Sequence, residues 1–140
     1  AQGFEGDERK VLGHGGSHRR KKRSDSAMSA LEPVLKKLEE LGKVLVVAGT
    51  SGAAVNMTGE LQFTVRPNEI LLELKGCGCR VHIDPNSFQT LHFTEEDLGR
   101  GEPDPVVEFA DAADRPVFRI CCPYELEKFL AVRDSLQRGG

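Results

Sequence analysis

A chain of 140 residues fits one compact domain, and 39% hydrophobic residues with no Trp predict a single, mostly aliphatic core. No apolar run approaches the ~20 residues that span a bilayer and no secretory leader is visible, so a soluble, cytoplasmic protein without a membrane partner is expected. The net charge of −3 is uneven: residues 1–27 carry seven Lys/Arg against four Asp/Glu, and the remainder twelve against eighteen. An acidic domain repels phosphate backbones, so nucleic acid is not an expected partner.

Residues 1–27 are glycine-rich and charged, almost without apolar periodicity, and include the basic run "HRRKKR" from His18 to Arg23. This composition predicts a disordered basic leader, solvated in preference to a nuclear signal, and not part of the working domain. Met28 opens "MSALEPVLKKLEELGK", which reads as a natural start, and the domain is expected to span 28–138. Ser29 with Glu32 forms a capping-box pattern, and Leu31, Val34, Leu35, Leu38 and Leu41 make one apolar stripe. A helix from Ser29 to Leu41 follows, with Pro33 in its first turn and Gly42 ending it.

From Lys43 the period becomes that of strands. "KVLVVAG", "AAVNMTG", "ELQFTV", "EILLEL", "CRVHI", "FQTLHF", "PVVEFAD" and "PVFRICC" are short and separated by turn dipeptides. In "FQTLHF", Phe88, Thr90 and His92 are expected to share one face, with Leu91 and Phe93 on the other. Pro123 starts a last helix to about Leu136. The fold class is therefore α+β: an antiparallel β-sheet meander of seven to eight strands flanked by an N-terminal and a C-terminal helix. Two helices cannot cover both faces of such a sheet, which leaves one for a ligand or a partner subunit.

Four cysteines invite a metal or redox reading. Cys77 and Cys79 stand too close for a comfortable mutual disulfide, and Cys121 and Cys122 are adjacent, a pattern that fits a reducing compartment. Two C-x-x-C pairs would argue for zinc, and a helix-start C-x-x-C for redox chemistry; neither is present. A cluster of Cys77, Cys79, His82 and one later cysteine is sterically conceivable, but small apolar strand residues are the plainer reading. No nucleophile elbow or phosphate-cradling loop occurs, and Glu95 to Asp97 reads as a solvated turn. His82 and His92 lie on strands, where an imidazole is either a satisfied side chain or a ligand for haem iron or another metal. Cys122-Pro123 also resembles a short haem-regulatory dipeptide of very low specificity.

The ordered set "LGKVLVVAGTSGAAVNMTGEL", "ILLELKGCGCRVHIDPNSFQTLHF" and "PVVEFADAADRPVFRICCPYELEKFL" resembles the haem-utilisation carrier family, the ChuX/HutX and HemS-like proteins. The register runs from about residue 38 to 136. The resemblance implies a haem-binding, dimeric, cytoplasmic iron-utilisation protein that receives, buffers or hands off haem without chemistry of its own, using a haem donor or acceptor protein. His82 matches the family's G-H-I histidine and becomes the candidate axial metal ligand, with Arg80 on the same strand and Arg119 as propionate contacts. An earlier family histidine falls on Gly49, and the family's Gly-Arg before the last helix becomes Pro123-Tyr124, so Tyr124 or Met57 are candidate alternative ligands. The resemblance also leaves open a dimeric assembly module that has lost haem, and a haem-degrading enzyme needing a partner reductase.

Overall fold

The computed structural model describes residues 8–11, 25–50 and 52–138. In chain order these form β1 (Glu8–Val11), α1 (Asp25–Leu38), a 3-10 turn (Glu39–Leu41), β2 (Lys43–Thr50), β3 (Ala53–Arg66) and β4 (Glu69–Lys75). There follow β5 (Cys79–Ile83), β6 (Thr90–Asp97), β7 (Pro103–Ala110), β8 (Pro116–Cys121) and α2 (Leu126–Arg138).

Helix α1 begins four residues before the expected start, so Ser29 lies inside it and Pro33 in its interior. The apolar stripe accounts for the difference. Met28 is buried with Leu31, Leu35 and Leu38, at i, i+3, i+7 and i+10, which carries the packed face one turn further toward the N-terminus. Burying one such side chain is worth about 1.5–3 kcal/mol, enough to extend a helix past a modest cap signal. Pro33 is tolerated on the exposed side, where water can satisfy the carbonyl it leaves without a partner.

The strands make one antiparallel sheet in the order β1-β6-β7-β8-β2-β3-β4-β5. It consists of two meanders, β2 to β5 and β6 to β8, joined where β8 pairs with β2. The predicted strands "AAVNMTG" and "ELQFTV" run together as β3, because its first half pairs with β2 and its second half with β4. Strand β1 corrects the expectation that all of residues 1–27 stay unordered: Glu8 to Val11 pair with β6, Arg9 opposite His92. Pairing of this kind draws on the backbone groups of an open sheet edge and needs no apolar periodicity in the added strand. The rest of the predicted leader up to residue 24, including His18 to Arg23, lies outside the described residues.

Both helices pack on the same face of the sheet. Leu31, Leu35 and Leu38 of α1 and Phe129 and Val132 of α2 join Val44, Val46, Phe63, Leu72, Val107 and Ile120 in one buried cluster. Phe109 stacks on Phe118 with centroids 4.1 Å apart, and Phe88 meets Phe109 edge-on at 5.1 Å. Phe88 thus lies in the core and not on the face of Thr90 and His92. It precedes β6, so the two-residue alternation does not reach it. Among the described residues, the opposite sheet face carries no helix. Among the described residues, no helix is long and apolar enough to cross a membrane.

Candidate functional site

The β4–β5 hairpin builds the site at one edge of the sheet. Its turn needs glycine twice, since Gly76 and Gly78 have φ of 96° and 70°. That path brings the Cα atoms of Cys77 and Cys79 to 5.3 Å, and the two cysteines are joined by a disulfide. The pair that the spacing marked as too close for a comfortable disulfide is thus bonded in the structure, across a turn with left-handed glycines at 76 and 78.

Beyond the turn the register sets His82 opposite Leu71 and Arg80 opposite Glu73. Alternation puts Val81 and Ile83 toward the core and Arg80 and His82 on the helix-free face. The His82 side chain is 61% exposed, and its Nδ1 lies 2.7 Å from Oε2 of Glu69. The other oxygen of Glu69 accepts from Arg66 Nη1 at 3.3 Å. A proton on Nδ1 donated to this carboxylate leaves the lone pair on Nε2, the arrangement by which a carboxylate orients a metal-binding imidazole. Arg80 is 65% exposed, with its Nε 3.4 Å from Oε2 of Glu73. Exposed pairs of that kind are worth ~0.2–1 kcal/mol, so the guanidinium can exchange its partner for another anion at little cost.

The remaining candidates are not gathered around His82. Arg119 shares its sheet face but sits on β8, four strand steps from β5. That separation is roughly 19 Å at ordinary strand spacing. Its Nη1 donates to both carboxylate oxygens of Glu96, the farther at 2.6 Å. Met57 alternates with Leu61 and Phe63 on β3 and is half-buried on the helix-covered face. Tyr124 is exposed just before α2, with Lys43 Nζ 4.6 Å from its ring centre. Gly49, where the family's second histidine falls, has φ of 141° and backs onto its own hairpin. A Cβ there would meet the Ala53 carbonyl oxygen at 2.3 Å, so this backbone cannot carry a histidine.

His92 occupies the far side of the same face. Its Nε2 lies 3.0 Å from Glu108 Oε1, and the side chain is only 6% exposed. Arg100 pairs with the buried Asp104 close by on β7. Cys121 and Cys122 are both buried. Burial pushes the Cys121 thiol up to about 11, with Glu96 adding to the shift, and burial also raises Cys122. Neither thiol approaches β5, so the conceivable Cys77–Cys79–His82 cluster with a later cysteine does not form. No group of three or more His, Cys, Asp or Glu suited to a metal occurs among the described residues. Glu95 to Asp97, expected as a turn, close strand β6. Glu96 holds Arg119, and Asp97 Oδ1 accepts the backbone N–H groups of Gly99, Arg100 and Gly101.

Two residues of the site escaped the reading by sequence, Glu69 and Glu73. Their signal is present in "EILLEL": with Leu71 they alternate along one face of β4, the face that antiparallel pairing lays beside Arg80 and His82.

No family model matches the chain, and no curated protein matches it. Solved structures do. A protein from Erwinia carotovora superposes with a TM-score of 0.63 at 23% identity, over 79% of this chain and 72% of that one. A ChuX structure gives 0.62 at 16% identity, over 80% and 72%. Another, described as the heme binding protein ChuX, gives 0.60 at 14% identity, over 81% of each chain. The chain therefore has the ChuX-like α+β fold anticipated from the ordered motifs.

Proposed function

We propose that this protein binds haem on the helix-free face at the β5 edge and carries it without transforming it. The shared fold with the heme binding protein ChuX supports the ligand class. The observation that brings it to this chain is His82: an exposed imidazole whose Nδ1 is held by Glu69, which leaves Nε2 as the axial donor. The donor set fits the group. Arg80, two residues along the same face, supplies a cation for a propionate, and Leu71 lies between the two glutamates as an apolar floor. Arg119, Tyr124 and Met57 have other partners or lie on other surfaces and take no part in this reading. Haem bound there would be cargo, received from one protein and passed to another.

Hemin titration of the purified chain tests this. A Soret shift that saturates at one hemin per chain and disappears in His82→Ala is expected. An unchanged shift in that variant removes His82 from the site, and the absence of any shift removes the function.

A second reading keeps the fold as a dimeric assembly module without haem. The geometry of Gly49 favours it, since the position of the family's other histidine is closed to any side chain. It predicts a stable dimer by light scattering together with a flat hemin titration.

A further inference from the structure

The four cysteines fall into two buried thiols on and just after β8 and one disulfide at the tip of the β4–β5 hairpin. We propose that Cys77 and Cys79 form a reversible dithiol–disulfide site that exchanges electrons with small thiols of the glutathione class.

The bond is poorly placed to serve as a staple. It links residues two apart, and the stabilisation a disulfide draws from the unfolded chain is smallest for so short a loop. The hairpin it sits on is already held by pairing from Ile70–Ile83 to Leu74–Cys79, and the Cys77 N–H reaches the Leu74 carbonyl at 3.4 Å. Access points the same way. Cys77 is exposed and Cys79 half-buried. A Cβ built at Gly76 or Gly78 would meet no heavy atom within 4 Å beyond its chain neighbours, so no other part of the described chain packs on either glycine of the turn. Exchange requires an attacking thiolate to reach one sulfur, and Cys77 presents its side to solvent. Cys121 and Cys122 form an internal control, since burial keeps both as inert thiols.

The chemistry balances without a cofactor. A glutathione thiolate attacks one sulfur and forms a mixed disulfide, breaking the Cys77–Cys79 bond; the second sulfur leaves as a thiolate and takes up a proton. A second glutathione thiolate then attacks the glutathione sulfur of the mixed disulfide. Glutathione disulfide departs, and the remaining protein thiolate is protonated. Two electrons pass from two small thiols to the protein cystine, and oxidation runs the same steps in reverse.

The test is a redox titration of the full-length chain in buffers of stepped glutathione to glutathione-disulfide ratio, quenched with acid and alkylated with a maleimide. Expected is one two-electron step within the glutathione range, with both labels on the tryptic peptide spanning 76–80. Cys121 and Cys122 stay unlabelled until denaturant is added, and reduced and oxidised forms show the same Tm. Cys79→Ser should accumulate a single mixed disulfide with glutathione at Cys77. A cystine that resists excess glutathione until the protein unfolds would overturn the proposal as a structural link. Two thiols that stay free in excess glutathione disulfide would overturn it as a pair that does not form.

Discussion

His82 and His92 lie on the same face of one sheet, each within 3.0 Å of a glutamate on the adjacent strand. Their surroundings part them. Among the described residues β5 is an edge strand, paired with β4 alone, and its histidine keeps most of its surface in solvent. β6 is an inner strand between β1 and β7, with Glu108 of β7 opposite His92 in the register, and the His92 ring is buried. An imidazole beside a carboxylate is thus left open to solvent at the sheet edge and enclosed inside the sheet. Residue type and pairing do not separate these roles; strand position does.

The comparison breaks most visibly by exchanging the two alanine variants. His92→Ala leaves the carboxylate of Glu108 without its partner and opens a cavity, and urea denaturation is expected to show a loss of about 2–3 kcal/mol. His82→Ala should cost under about 0.5 kcal/mol in the same assay, as exposed substitutions do, while abolishing the hemin Soret shift. Removal of residues 1–24 tests what makes β6 an inner strand. It should raise amide hydrogen exchange along β6 and lower stability by about 1–2 kcal/mol, the scale of a few cross-strand pairs. Arg80→Ala should weaken hemin binding roughly tenfold, the scale of one charge-assisted contact, without changing stability.

The smallest effect concerns acid. The Gly99 N–H, followed by that of Gly101, holds the Asp97 carboxyl below its ordinary value of 3.8. A carboxyl depressed in the folded state adds stability above its unfolded pKa and loses it as pH falls through the lower folded one. Stability curves of the parent and Asp97→Asn should therefore differ above about pH 4 and converge below it, measured by thermal melts across pH.

Much of this architecture is legible in the chain. The stripe from Leu31 to Leu38 marks the packed face of α1, and the alternation in "ELQFTV" marks the inward side of β3. Two-residue periodicity alone puts Arg80 and His82 on a common face. What escapes it depends on register or on unusual backbone. Glu69 meets His82 only once β4 and β5 are aligned. The Arg119–Glu96 pair links strands with β7 between them, 23 residues apart in sequence. The Cys77–Cys79 bond lies in a turn with left-handed glycines at 76 and 78, and β1 pairs along the edge of β6, for which a charged segment carries no periodic signal.

The sequence by itself determined the two helices, the antiparallel strands of each meander and the placing of Arg80 with His82 on one face. These follow from local periodicity and turn chemistry, which act between residues close in the chain. Only the tertiary structure decided which histidine is open and which is closed, and that Gly49 has no room for a third. It also showed the cysteines of the hairpin turn as a covalent pair. These depend on which strand lies beside which and on how closely one backbone approaches another, and such distances are set by the whole sheet.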